Sequence, residues 1–226
     1  MLNYSPRIEK LWQLAGKCVC LGDVGTDHAL VPVHMVETGM AEQAIASDIN
    51  KGPLERAAAN VNAAGFAKKI QLRLGSGMTV YKPGECDTFI IAGMGGALIA
   101  DILEASREVA RAADKLILQP NTCVPLLRKY LWDNGYSIQD ENTMAEREHT
   151  YIFLTVKYTG APPKVATDLE LFMGDILQKK EDGPVYYKAL HTKTTRKLAG
   201  LKKAANVNQE EITAVENLIK ALEEFL

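Results

Sequence analysis

Asp23-Val24-Gly25-Thr26-Asp27-His28-Ala29 is the stretch on which the fold turns. An apolar run, Cys18-Val19-Cys20-Leu21-Gly22, precedes it, and a helical pattern from Leu30 to Glu37 follows. The order is therefore strand, glycine turn, helix N-terminus. In α/β proteins a nucleotide-like ligand sits at the carboxyl end of such a strand. A pyrophosphate loop wants three glycines and no carboxylates, so that backbone N–H groups and the helix dipole face the anion. Here Asp23 and Asp27 flank Gly25, and two carboxylates repel a pyrophosphate and attract a cation. S-adenosylmethionine is the nucleoside that carries ammonium and sulfonium groups in place of phosphates, and it is the expected cofactor.

Outward from this turn, strands and helices alternate. A short amphipathic helix over 5–15 places Ile8, Leu11, Trp12 and Ala15 on one side and stops at Gly16. The first strand covers 18–23 and its helix 27–38, with Asp27 and His28 opening it and Gly39 ending it. A second strand ends at Asp48, and a helix opened by Gly52-Pro53 runs to Ala64. Ile70–Leu74 is a third strand. Asp87–Ala92 is a fourth, leading into Gly93-Met94-Gly95-Gly96 and a helix to Ala105. Lys115–Gln119 is a fifth, followed by Pro120-Asn121 and a helix over 124–134. Tyr136–Glu141 and Thr150–Tyr158 then read as an antiparallel pair joined by a polar loop, Asn142 to His149. The fold class is α/β with a mainly parallel sheet.

Gly160-Ala161-Pro162-Pro163-Lys164 breaks the pattern. It divides the chain into a sheet domain, 1–160, and a helical domain, 161–226. Helices are expected over 166–180, 185–205 and 209–226, the last two packed as an antiparallel, coiled-coil-like hairpin.

Composition narrows the class. The chain has 226 residues, 47% of them apolar, and a net charge of −2. That suits a full core and makes disorder a poor reading. No apolar run approaches the ~20 residues needed to cross a bilayer. The polar start lacks a signal-peptide core, so a cytoplasmic protein is expected. Cys18, Cys20, Cys86 and Cys123 read as reduced thiols rather than metal ligands, and no metal is expected.

Several residues carry candidate chemistry. Asp48, ending the second strand, suits the two ribose hydroxyls of a nucleoside, or else a helix cap. Ile49 is placed to cover an adenine face. Asp23 suits the ligand's ammonium, or else braces its turn. Asp27 caps a helix or faces a cation, and His28 stands beside it. The glycines of Gly93-Met94-Gly95-Gly96 let a substrate approach the backbone closely.

A parallel sheet closed by an antiparallel hairpin resembles the Rossmann-like class I methyltransferase plan. In that plan Gly75-Ser76-Gly77 wraps the adenine and Gly93-Met94 lies beside the reacting centre. The Asn/Asp-Pro-Pro-aromatic tetrapeptide common in amino-group methyltransferases is missing, which favours a ring nitrogen as acceptor. A more specific resemblance rests on five segments: Asp23 to Ala29, Ala46-Ser47-Asp48-Ile49-Asn50-Lys51-Gly52-Pro53, Ile91-Ala92-Gly93-Met94-Gly95-Gly96, Leu118-Gln119-Pro120-Asn121, and Ser5-Pro6-Arg7-Ile8. With Glu146-Arg147-Glu148 they resemble the bacterial tRNA (adenine-22 N1)-methyltransferase family over essentially the whole chain. The resemblance implies methylation of adenine N1 in the D-arm of tRNA. It also implies a base unpaired or extruded first, because N1 lies on the Watson–Crick edge.

On that reading Asp27, Gly93, Met94 and Asn121 are the candidate catalytic residues. Asp23, Gly25, Asp27, His28, Asp48, Ile49, Gly75, Ser76, Gly77 and Gly93 are the candidate cofactor contacts. Gln119 and Asn121 are placed to read the adenine. Arg7, Lys188, Lys193, Arg196 and Lys197 are the candidate RNA contacts. From Tyr186 to Ala204 the chain is basic with no acidic residue, while the last helix is acidic, so the basic helix is a phosphate-binding device or a partner for its neighbour. The expected partner is tRNA, with no membrane and no obligate protein partner, and the protein is expected to be a monomer or weak dimer. The alternatives are a methyltransferase for a small molecule or protein, with the last helices as a lid or dimer contact, and an RNA-binding module without catalysis.

Overall fold

A computed structural model describes residues 4–203 and 209–226. In chain order its elements are α1 (Pro6–Ala15), β1 (Cys18–Val24), α2 (Leu30–Glu37), β2 (Ala41–Asp48), α3 (Lys51–Ala63), β3 (Ile70–Leu74), β4 (Thr88–Gly95), α4 (Gly96–Ala105), α5 (Arg107–Ala112), β5 (Lys115–Thr122), α6 (Val124–Asp133), β6 (Tyr136–Glu146), β7 (His149–Tyr158), α7 (Asp168–Met173), α8 (Gly183–Leu201) and α9 (Gln209–Glu223). The sheet runs β3-β2-β1-β4-β5-β7-β6. Strands β1 to β5 are mutually parallel, and β7 is antiparallel to both β5 and β6. The order reverses between β1 and β4. In such sheets the crevice at the carboxyl ends of those strands is the place for a ligand.

Alternation along the central strands builds a core on each face. Ile90 and Ile117 join Leu21 and Phe153 under α1, α2 and α3. Their neighbours Phe89, Ile91, Leu116 and Leu118 join Ile99 and Leu127 under α4 and α6 on the other face. Helix α1 follows its sequence signals: Ser5 Oγ accepts the Ile8 N–H at 3.4 Å, Pro6 opens the first turn, and Gly16 ends the helix at φ +64°.

The C-terminal helices share the second core, to which Tyr187 of α8 and Leu222 of α9 contribute. A buried ion pair organises the junction. Arg128 of α6 and Glu141 of β6 meet at 2.8 Å. The Arg128 guanidinium also donates to the carbonyls of Leu171 and Phe172, both at 2.7 Å. Glu141 accepts the N–H groups of Ile176 and Leu177 at 3.2 and 2.9 Å. The two charges stay buried because they face each other and backbone groups take up further hydrogen bonds, although Arg128 Nη2 meets only the Glu141 charge.

Four expectations are corrected. Helix α2 starts at Leu30, not Asp27, because His28 and Ala29 are left-handed, at φ +62° and +51°. The polar segment Asn142–His149 is mostly strand: β6 and β7 pair out to Glu146↔His149, around a two-residue turn with Arg147 at φ +55°. The helix expected over 166–180 breaks at Gly174, φ +73°, where a β-carbon would collide with the Glu141 carboxylate and Arg128. Only a short 3₁₀ turn, Leu177–Lys179, follows. β5 continues through Pro120-Asn121 to Thr122. The expected end of the basic helix at Ala204 and Ala205 lies outside the described residues.

Candidate active site

The turn after β1 is tied to the end of β2. The N–H groups of Gly25 and Thr26 both reach the Ser47 carbonyl at 2.8 Å. Thr26 Oγ1 donates to Asp23 Oδ2 at 2.5 Å. Asp23 is buried, and burial pushes its carboxyl up to about 6, with the charges of Asp27 and Asp48 acting the same way against the Thr26 hydrogen bond. Below it, the buried Tyr81 hydroxyl bridges the Ile45 carbonyl (3.1 Å) and the Ser47 hydroxyl (3.0 Å). Sequence reasoning missed Tyr81, which lies in a non-periodic connection where nothing distinguishes a buttress from an exposed aromatic.

Asp27 projects into solvent, its side chain 76% exposed, 3.3 Å from His28 Nε2 and 3.7 Å from Arg56. It caps no helix, since α2 has no side-chain cap. Asn60 fixes the strained segment by donating to the His28 carbonyl at 2.8 Å. Left-handed non-glycine residues of this kind cluster at ligand sites.

At the end of β2, Asp48 Oδ1 accepts the Asn50 N–H at 2.6 Å, and the Asp48 carbonyl accepts the Gly75 N–H at 3.0 Å. This pins the Gly75-Ser76-Gly77 turn beside Asp48. A β-carbon at Gly75 would fall 2.2 Å from Val80, and Gly77 is at φ +54°. Ser76 is exposed. Ile49 is 64% exposed beside them, an apolar side chain outside both cores of the described residues.

A ring of amides joins β4 to β5. Gln119 Oε1 accepts from Arg7 (2.9 Å) and from the Gly93 N–H (3.1 Å). Gln119 Nε2 donates to Asn121 Oδ1, and Asn121 Nδ2 returns to the Gly93 carbonyl, both at 2.9 Å. Gly93 is thereby held at φ +79°. Gln119 is completely buried, so the expectation that it reads a base is corrected: its amide is already engaged on both sides. Arg7 is half-buried, turned to the same ring and 5.6 Å from the Tyr151 ring centre. Asn121 stands exposed at the ring's edge. The glycine motifs meet through Met94, whose terminal methyl lies against Gly25.

Along α8, Lys188, Lys193 and Arg196 are exposed and have no ion pair among the described residues. Lys197 pairs with Glu211 at 2.7 Å and Lys202 with Glu216 at 2.7 Å, so α9 neutralises part of the basic helix. No group of three His, Cys, Asp or Glu among the described residues could hold a metal ion, and no described helix is long and apolar enough to cross a membrane.

The residues fit S-adenosylmethionine. An acidic glycine turn and a second carboxylate one strand away face the crevice, with an exposed isoleucine beside them and no triple-glycine phosphate loop. Comparison with known proteins points the same way. Residues 4–154 match the family described as Methyltransferase domain. A tRNA (adenine(22)-N(1))-methyltransferase of Bacillus subtilis (strain 168) is 36% identical over 156 residues, 69% of this chain and 66% of that protein. The solved structure of the B. subtilis M1A22 tRNA methyltransferase TrmK superposes with a TM-score of 0.85 at 28% identity, covering 100% of this chain and 99% of that one. Streptococcus pneumoniae Sp1610, solved in complex with S-adenosyl-L-methionine, superposes with a TM-score of 0.86 at 33% identity over 99% of this chain and 100% of that one.

Proposed function

The chain belongs to the tRNA (adenine(22)-N(1))-methyltransferase family, and from that premise we infer that it moves a methyl group from S-adenosylmethionine to N1 of adenine 22 in tRNA. One observation supports this reading most: the acidic turn of β1 touches the Gly93-Met94 strand end, so a cationic nucleoside site and a close-approach backbone site adjoin. Bound S-adenosylmethionine supplies an electrophilic methyl group on a sulfonium.

The chain's own residues bind and orient. Asp48 keeps one carboxylate oxygen free of its Asn50 contact, which suits the ribose hydroxyls. Asp23 and the Gly25 turn suit the ammonium, and Ile49, Ser76 and the glycines around Ser76 suit the adenine. N1 of the target adenine has an in-plane lone pair and needs no base to generate a nucleophile. The enzyme's task is then to place it in line, an orientation effect. Gly93 leaves room for the ring, and Asn121, held by Gln119, faces it. Methylation leaves positive charge on the adenine, and the exposed Asp27 carboxylate is the group assigned to stabilise it.

On this reading residues 1–160 carry catalysis and 161–226 carry tRNA contact, in a cytoplasmic monomer or weak dimer. Reversing Lys188, Lys193 and Arg196 to Glu tests the division. Affinity for tRNA should fall by more than about tenfold, with a shallower salt dependence and unchanged cofactor affinity. Unchanged tRNA affinity would return the last helices to a lid or dimer role.

A further inference from the structure

A cleft of about 650 Å³ opens beside the amide ring, between the β5–α6 corner and α8. Asn121 lines it. Val124, Tyr186 and Leu190 supply apolar walls, and Lys193 and Lys197 of α8 line it as well. We propose that this cleft binds the nucleotide next to the target adenine, its base between the apolar walls and its phosphate on the two lysines. The proposal rests on the tRNA reading above and adds to it a second, flanking-nucleotide subsite.

Three observations carry it. The cleft is continuous with the site, because Asn121 belongs both to it and to the ring that holds Gly93. It is separate from the cofactor crevice, whose carboxylates end β1 and β2, while the cleft starts at β5, beyond β4. Its charge is one-sided: α8 carries no acidic residue, and Lys193 has no ion pair among the described residues. The exposed Lys197–Glu211 pair is of the kind worth little, so a phosphate can replace the carboxylate. Unpaired bases are held by stacking on aromatic and apolar surfaces with cations along the backbone, which is the arrangement here. The volume lies in the range of small-ligand sites.

Cys123 gives the test, being an exposed thiol that lines the cleft, while Cys18 is half-buried and Cys20 and Cys86 are buried. The full chain with S-adenosylhomocysteine is labelled with N-ethylmaleimide, with and without saturating unmodified tRNA, and Cys123 modification is followed by peptide mass spectrometry. Bound tRNA should slow labelling by about tenfold or more. Ala189→Trp, which fills the cleft without touching the amide ring, should abolish that protection and raise KM for tRNA about tenfold, near 1.4 kcal/mol, with unchanged cofactor affinity. Lys193→Gln, a surface change that spares folding, should weaken protection and raise KM in the same direction. Equal labelling rates with and without tRNA, or wild-type KM in both variants, would overturn the proposal. Normal tRNA methylation with unprotected Cys123 removes only the subsite, whereas a wild-type chain that neither binds nor methylates tRNA removes the reading beneath it.

Discussion

The terminal methyl of Met94 lies over the α-carbon of Gly25, so closely that a β-carbon at position 25 would stand 2.2 Å from it. Two glycine motifs, separated in the chain by α2, β2, α3 and β3, thus form one surface. The first binds through its carboxylates and its turn. The second offers a strand end that stays paired with β5 but shifts register between Ala92, Met94 and Gly95.

Gly25→Ala should therefore act twice. Residue 25 sits at φ +73°, where a β-carbon costs about 1–2 kcal/mol. The added methyl also displaces the flexible Met94 side chain into the crevice. Cofactor affinity, measured by calorimetry, should fall about tenfold or more. Gly25→Ala with Met94→Ala should recover part of the affinity while the backbone cost at residue 25 persists, because only the steric component is relieved. Additive losses in the double variant would show that the contact does not matter.

Asp23 predicts a pH dependence. Its carboxyl is held near 6 in the folded chain, against about 3.9 when unfolded. Between these values the native state binds more protons than the unfolded state, so stability falls as pH rises. The contribution is complete below about pH 4 and is lost through pH 6, a difference of roughly 3 kcal/mol at pH 7. Asp23→Asn should flatten that fall in denaturant midpoints measured from pH 4 to 7. The ionised form is the one that suits an ammonium, so wild-type cofactor affinity should rise from pH 5 to 7. An Asp23→Asn chain with the wild-type affinity profile would separate Asp23 from the ligand.

Gln119→Leu should test the amide ring. The change keeps the volume but leaves the Gly93 N–H and the Arg7 guanidinium without their acceptor, at a cost of about 1–3 kcal/mol. With Gly93 and Asn121 released, kcat should drop about tenfold or more while cofactor affinity changes less than about threefold. A variant with normal kcat and lowered stability would make the ring purely structural.

Much of this was legible in the sequence, for identifiable reasons. β3 and the β1–turn–α2 order follow from short apolar runs ended by glycine, a local signal. What was illegible depends on contacts distant in sequence. Asn142 to His149 is polar enough to read as loop, yet it stays in the ladder, where Thr143 donates its N–H and hydroxyl to Asp182, both at 2.7 Å. Gly174 breaks its helix because the Arg128–Glu141 pair occupies the space beside it. Asp27 is chemically an ideal cap, but the left-handed His28 and Ala29 move the helix start past it. Gln119 has the right chemistry to read a base, and only the fold shows that Arg7, Gly93 and Asn121 already occupy it. Pairing of the basic helix with its acidic neighbour was legible as one of two readings, and only the fold shows which lysines it takes, Lys197 and Lys202.

Methyl transfer to adenine N1 can be read out by incubating the chain with S-adenosylmethionine and unmodified tRNA, then digesting to nucleosides for mass spectrometry. Asp48→Ala, which should weaken cofactor binding and leave tRNA affinity nearly unchanged, serves as the control. The wild-type chain should yield 1-methyladenosine, and the variant should lose it at limiting cofactor. A wild-type chain that binds cofactor yet yields no methylated nucleoside, or yields one methylated at another atom, would contradict methyl transfer to N1.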